Sequence, residues 1–570
     1  MERIKFVSRI LAILFFLLGL TVARLSLIQG KRFSELSTKN SIRLVPRSGS
    51  RGKILDRDGS LIAGSRLSYD VMLMSQVKNE LESVIAKLSR ILEQPSQDLM
   101  KEYRAGFIGQ AVPVTIIKNI ERKKAIVLSE LKADLPGVIV QANPVRDYPF
   151  SRLAAHVLGY INEIDPWRLS KLTAYGYNIK DIVGFGGVEE RYDYYLQPAK
   201  GGLSVQVDSR GRFVRVLGSR SPEDGQDVQL TLSLKLQKIA EEKLSERNGC
   251  VIIMDPRTGE VLAMTSLPNF NPGLFVDKNA SLNNLFNNPD APLINRAISA
   301  AYPAGSVFKP IVAAAAIQTN KINQSTSFLC KGSAFVGRQE FACWNTHGAQ
   351  NLTAALTHSC NVFFYKAGLL LGGSLIHEYA LKFGLAHTSN FELPYEAAGF
   401  VPSPLWRKVN KFQNWFDGDT ANLSIGQGEV LVTPIQIARM MAVFANHGSL
   451  VRPYIVKSIA GKDVSYLQRK LVNLRLKEEA IEYVRRGLRE VVSAQGGTAH
   501  VLSGLSISVA GKTGTAQAPH GQPHAWFAGF FPFKEPKFVA CVFLEHGGPG
   551  YLSALIAKQI IEEMLNQGLI

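Results

Sequence analysis

Acidic side chains are the scarce class in this chain: 47 Asp and Glu stand against 65 Lys and Arg, a formal net charge of +18 over 570 residues. That balance suits an anionic neighbourhood such as a membrane surface or an acidic polymer. Nucleic acid would fit the charge as well, but no helix-turn-helix, zinc-finger or aromatic RNA-binding signature accompanies it, so nucleic acid is set aside as a partner. Cysteine is also rare, five residues in all, an odd number with three of them clustered. The first 225 residues lack any density of paired acids, histidines or phosphate-cradling glycines, which argues against chemistry there. What is plentiful is apolar content, 46%, enough for sizeable cores and for three or four domains of about 150 residues each.

Near the N-terminus, Ile10 to Ala23 is an uncharged, mostly apolar run preceded by Arg3, Lys5 and Arg9. At about 1.5 Å per residue it falls short of a hydrocarbon layer of about 30 Å, whereas Phe6 to Ile28 reaches across if Arg9 and Arg24 extend to the interface. The basic flank places residues 1–9 in the cytoplasm, 10–28 across the inner membrane as a single-pass anchor, and the rest outside. The competing reading is a cleaved signal peptide with Thr21-Val22-Ala23 as its site; the apolar residues that resume at Leu25, Leu27 and Ile28 favour the anchor. Residues 41–225 read as a mixed, non-catalytic pedestal. It opens with a strand and turn at Arg51 to Ala63, signalled by Asp58-Gly59, and continues with charged amphipathic helices around 75–105 and 121–133. His156 reads as a packing histidine.

After Pro222-Glu223-Asp224-Gly225 the composition shifts, and residues 226–570 form a second module. Leu234 to Arg247 reads as a helix, Gly249 to Asp255 and Leu262 to Ser266 as a hairpin, Ala525 to Phe531 and Phe538 to Glu545 as two further strands, and Ser553 to Leu565 as a closing helix. A sheet drawn from both ends of a module makes its middle, about 270–500, a helical insertion. The fold class is α+β, an antiparallel sheet with a helical lobe.

The insertion carries the chemistry. In Pro303-Ala304-Gly305-Ser306-Val307-Phe308-Lys309-Pro310 a loop runs into the alanine-rich stretch Ile311 to Ile317, so a helix begins close to Ser306 and sets Lys309 on its face. A serine hydroxyl needs a base, and lysine is one only where burial or a second cation lowers its pKa. Ser359-Cys360-Asn361 brings a second hydroxyl and an amide to the start of another apolar element. Lys512-Thr513-Gly514-Thr515 follows Ser506 to Ala510, which reads as a strand; Thr513 and Thr515 then share a face, Gly514 leaves room for a substrate backbone, and Lys512 is the second cation. Each stretch alone is an ordinary cap or turn. Together, in this order, they match a known catalytic signature.

At these residues the chain resembles the penicillin-binding proteins, acyl-transferring serine enzymes that cross-link bacterial peptidoglycan. Arg51 to Gly59 and Gly184 to Tyr195 resemble the class B pedestal, and Gly418-Asp419-Thr420, Ile425 to Gly428 and Thr433 to Gln436 resemble the elongation-type transpeptidase more than the division type. Gln197-Pro198 and Leu232-Ser233 depart from the usual pattern without touching the three motifs. The resemblance implies a five-stranded sheet and a mechanism. Ser306 attacks the penultimate D-Ala of a stem peptide and Lys309 takes its proton, with the field of Lys512 helping to keep Lys309 neutral. Ser359 passes a proton to the departing D-Ala, Asn361 holds the substrate amide, and Thr513 with Thr515 binds the terminal carboxylate. The N–H groups of Ser306 and Thr515 hold the oxyanion, and β-lactams stop at the first half. No segment before residue 225 resembles a glycosyltransferase domain, so the resemblance implies a separate SEDS-family polymerase and the elongation machinery as membrane partners. Two rivals stand beside it. One is a D,D-carboxypeptidase or β-lactamase, against which the large pedestal argues; the other is a non-catalytic scaffold or β-lactam sensor, against which intact Ser306, Lys309 and Lys512 argue.

Catalysis calls for no cofactor, but Cys330, Cys343, His347 and Cys360, with twelve, three and twelve residues between them, make a complete tetrahedral zinc set at a spacing that matches no common finger. The alternative is a Cys330 to Cys343 disulfide, with Cys360 free and His347 without a role. Four protein ligands would make any zinc structural. Cys250 and Cys541, in apolar strands, read as core.

Overall fold

The computed structural model describes residues 2–33, 35, 42–74, 81–107, 113–199, 201–207, 213–277 and 280–570. Residue 41, where the pedestal is expected to begin, and residues 75–80, at the head of the first expected helical stretch, lie outside them. The chain divides into two compact units. One comprises Met1–Arg51, Ser65–Val145 and Pro198–Gly225, the other Gly52–Gly64, Arg146–Gln197 and Gln226–Ile570.

In the first unit a helical stretch, Glu2–Ile28, is long and apolar enough to cross a membrane. Ile42–Arg47, Gly201–Val207 and Phe213–Arg220 form a three-stranded antiparallel sheet. A separate core gathers Val71, Leu73, Val114 and Ile116 from paired strands against Val84, Ile85, Leu88 and Leu92 of one helix and Leu99 and Tyr103 of the next. The helical stretch expected around 75–105 is thus two helices, Leu81–Leu92 and Ser96–Gly106. Pro95 stands between them, with no N–H to continue the first ladder.

The second unit is built on a five-stranded antiparallel sheet flanked by helices. The sheet and the helices that matter for the site are, in chain order, α1 (Leu234–Leu244), β1 (Gly249–Met254), β2 (Val261–Leu267), α2 (Lys309–Gln318), α3 (Asn361–Leu371), α4 (Pro434–Ala445), α5 (Glu478–Ser493), β3 (Ala510–Ala516), β4 (His524–Phe531), β5 (Phe538–Leu544) and α6 (Tyr551–Asn566). The strand order is β2-β1-β5-β4-β3, so β3 is an edge. β1 is apolar throughout because it is buried on both faces: Cys250, Ile252 and Met254 join the core of the helical lobe with α2 and α4, while Val251 and Ile253 join a second core with α1 and α6. Residues 506–509 precede the sheet and do not form the strand their alternation suggests. Pairing with β4 begins at Ala510↔Phe530, and Ser508 instead accepts the N–H of Phe533.

The short segments Gly52–Gly64 and Arg146–Gln197 belong to this unit too. The Asp58-Gly59 turn forms, with Gly59 at φ +86° and Asp56 accepting the N–H groups of Asp58 and Ser60. Ile54 then pairs with Ala63 on one side and Val228 on the other. Arg146 donates to Glu189 at 2.6 Å and to the Gly52 carbonyl at 2.7 Å, with both ionic side chains buried, which ties together the two stretches that resemble a class B pedestal. Gly184 is obligatory here, since a Cβ would fall 1.9 Å from the Glu189 carbonyl oxygen. His156 is buried against the Pro292 carbonyl at 2.8 Å, the packing histidine expected, and burial pushes it down to about 4.

Candidate active site

Ser306 lies in a tight single turn, Gly305–Phe308, and α2 begins immediately after it at Lys309 with Pro310 in its first turn. Backbones converge on this turn. Gly305, at φ +57°, donates its N–H to Gly426 at 2.8 Å, and a Cβ on Gly426 would lie 2.3 Å from the Gly305 carbonyl oxygen. From the other side, a Cβ on Gly305 would meet the Thr515 carbonyl oxygen at 2.9 Å. The serine is therefore fixed between the edge strand β3 and the Ile425 to Gly428 loop. It faces a cavity of about 690 Å³ lined also by Ser359, Asn361, Thr513, Thr515 and Gln427.

Lys309 is completely buried. Its Nζ donates to the Ser359 carbonyl and to Asn361 Oδ1, each at 2.7 Å, and approaches Ser359 Oγ at 3.2 Å. Ser359 holds φ +54°, a left-handed conformation uncommon outside glycine, which allows its carbonyl and hydroxyl to meet one amine just before Asn361 opens α3. Burial pushes Lys309 down to about 7, opposed by the nearby Cys343 and Cys360 thiols. Lys512 is also completely buried, donates to the Thr513 carbonyl at 3.1 Å, and is pushed well down by burial first and by the charge of Lys309 second. Burial thus lowers both lysines, and the repulsion between them adds to it.

On β3, Thr513 and Thr515 both line the cavity. Thr515 Oγ1 accepts the Gly550 N–H at 2.9 Å, and Thr513 Oγ1 and Thr498 Oγ1 share a hydrogen bond at 2.6 Å. The space beside Gly514 is filled by protein: a Cβ there would lie 3.1 Å from Val307 and 3.2 Å from Trp526. That glycine serves the close approach of the serine turn. Thr498, Asn422 and Gln427 line the cavity too, outside the three motifs. Only Gln427 had a local signal, its place in Ile425-Gly426-Gln427-Gly428.

The four candidate metal ligands also converge. One donor atom each from Cys330, Cys343, His347 and Cys360 fall within 4.8 Å of one another. His347 Nδ1 lies 3.5 Å from both Cys330 Sγ and Cys343 Sγ, and all five cysteines are free thiols. Cys343 Sγ accepts the Asn361 N–H at 3.2 Å, so the cluster supports the segment presenting Ser359 and Asn361.

Residues 249–566 match the family described as the penicillin binding protein transpeptidase domain, and residues 46–230 match the penicillin-binding protein dimerisation domain. The chain is a penicillin-binding protein. Among relatives of this penicillin-binding protein, the peptidoglycan D,D-transpeptidase MrdA of Acinetobacter baumannii is 31% identical over 588 residues, covering 99% of this chain and 87% of the relative. The MrdA of Escherichia coli K12 is 30% identical over 584 residues, with 96% and 92% covered. A solved structure of a penicillin-binding protein (PBP2) in complex with MreC from Helicobacter pylori matches with TM-score 0.82 at 27% identity, over 93% of this chain and 99% of that one. A peptidoglycan synthase complex that coordinates polymerization and crosslinking matches at TM-score 0.75 and 29% identity, over 98% and 97%.

Proposed function

We propose that this protein is the cross-linking enzyme of cell-wall elongation, a peptidoglycan D,D-transpeptidase acting through an acyl-enzyme on Ser306. The observation that carries the reading is the state of Lys309. A neutral amine has two hydrogens, and the two 2.7 Å bonds to Ser359 and Asn361 use both. Burial brings the amine to about 7, so that its unprotonated form is on hand as the base for the Ser306 hydroxyl. Ser306 Oγ then bonds to the penultimate D-Ala carbonyl carbon as its proton passes to Lys309. Ser306 and Thr515 N–H groups hold the oxyanion, each worth about 3 kcal/mol. The C–N bond breaks as Ser359, 3.2 Å from Lys309, hands its proton to the departing D-Ala amine and takes in its place the proton that Lys309 received from Ser306. Asn361 holds the donor amide, and Thr513 and Thr515 its terminal carboxylate. An amine of a second stem peptide attacks the ester, and Ser306 recovers its proton. A β-lactam acylates Ser306 and stays.

In this reading Glu2–Ile28 anchors the chain in the cytoplasmic membrane with its N-terminus inside, and a SEDS-family polymerase and the elongation machinery are its partners. Support comes from the apolar helix and from relatives solved with MreC and within a synthase complex. Cys330, Cys343, His347 and Cys360 hold one structural zinc. Ligands about 2.0–2.3 Å from a tetrahedral ion stand about 3.5 Å apart, as the sulfur–nitrogen pairs do. Metal analysis with thiol titration of the unfolded protein separates this from the disulfide. One zinc and five thiols are expected, whereas no metal and two thiols fewer would select the disulfide.

Intact mass after exposure to a labelled penicillin tests the main reading. One adduct on the wild type, absent from Ser306→Ala and Lys309→Ala, is expected. No adduct on folded wild type would move the assignment to a non-catalytic scaffold of the polymerase.

A further inference from the structure

Thr498 lies outside the three motifs, on the Gly496-Gly497-Thr498 loop that follows α5. That loop has little freedom. A Cβ on Gly497 would lie 2.3 Å from the Val491 carbonyl oxygen and one on Gly496 3.2 Å from His358 Nε2, while the Thr498 N–H donates to the Thr357 carbonyl at 3.3 Å. The loop is wedged between the end of α5 and the turn that carries Ser359. From there the Thr498 hydroxyl stands 2.6 Å from Thr513 Oγ1, and both side chains line the cavity of Ser306. Thr498 therefore connects the segment of Ser359 to the strand of Lys512.

We infer that Thr498 is a positioning residue that sets the Thr513 hydroxyl for the terminal carboxylate of the acyl donor; the inference rests on the transpeptidase reading of the cleft. A carboxylate only accepts hydrogen bonds, and each threonine hydroxyl has one hydrogen to give. In the structure the two hydroxyls lie 2.6 Å apart, and either can donate to the other. When a carboxylate enters, Thr513 turns its hydrogen to it and keeps its bond to Thr498 only with Thr498 as the donor. The result is a short chain, Thr498 to Thr513 to carboxylate, in which each bond polarises the next. Thr498 has no wider range of choices, because its loop is fixed by the two glycines and the Thr357 bond.

The test uses the full-length protein in detergent and two thioester acyl donors, one with a free terminal carboxylate and one with that group as a methyl ester. Thr498→Val is expected to lower acylation efficiency on the acid about tenfold, mostly through KM, as loss of one hydrogen bond in a charge-assisted chain implies. Acylation by the ester should change less than about twofold, and Thr498→Ser should restore the acid to within about twofold of wild type, both inside the scatter of a single hydrogen bond. Equal losses on both donors, no loss on the acid, or a serine variant as poor as valine would each overturn the role. Thr498→Ala replaces the valine variant if that one does not fold. A wild type acylated by neither donor nor penicillin sinks the transpeptidase reading together with this inference. A wild type acylated normally beside an unaffected Thr498→Val sinks the inference alone.

Discussion

Two regions of the second unit bury cations, and they solve the problem in opposite ways. Arg146 is buried with a carboxylate at 2.6 Å and a backbone carbonyl at 2.7 Å, so its charge is answered. Among the described residues, Lys309 and Lys512 bond neutral acceptors only, the carbonyls of Ser359 and Thr513, the Ser359 hydroxyl and the Asn361 amide. The first arrangement keeps a charge and holds two chain segments together. The second drives protons off, which serves reactivity and costs stability. Burial alone does not distinguish structural from chemical cations; the partner does.

That contrast can be broken most severely at Lys309. Lys309→Met should reduce penicillin acylation by about a thousandfold, within the range for loss of a positioned base, read as the second-order labelling rate. Removing the answered charge should act on stability instead. Glu189→Ala leaves Arg146 buried without its carboxylate and should destabilise the second unit by about 3–5 kcal/mol in denaturant unfolding. The opposite sign is expected at Lys512. Lys512→Met should raise stability at neutral pH by about 1–2 kcal/mol, since a well-packed apolar side chain replaces a lysine that must give up its proton to fold. That gain should shrink as pH rises toward about 10. The fold lowers the lysine pKa, so the unfolded chain binds the proton that the native state excludes, and wild-type stability climbs with pH across that window. The smallest effect sharpens the cause of the Lys309 shift. Acylation should rise as Lys309 loses its proton through about pH 7, and in Lys512→Met that limb should stay within about 0.3 unit if desolvation dominates. An upward move of a full unit would make the second cation the main cause.

Sequence alone carried the motif residues because each begins or edges an element, where caps, glycines and apolar runs leave local marks. Lys309 bonds Ser359 and Asn361, and those two share a cavity with Ser306. What it did not carry is burial: nothing local separates Lys309 or Lys512 from a surface lysine, and their depressed pKa values arise from packing. Thr498 was illegible for a related reason, being one hydroxyl in a glycine loop brought to Thr513 by tertiary structure. The stretch Ser506 to Val509 misled because alternating β-branched residues also suit a loop pressed on a core, where Val509 is buried and Ile507 packs.

The sheet order has a consequence for how the chain is made. β2 ends at Leu267 and β3 begins at Ala510, and β5, which joins the two halves, ends at Leu544. A span of about 240 residues must therefore be looped out before the halves can zip, with a closure cost that grows only logarithmically but precedes every rewarding contact. The serine turn, Gly305–Phe308, can form early, yet the strand carrying Lys512 begins only at Ala510. A truncated product would carry the nucleophile and none of the wall that shelters it.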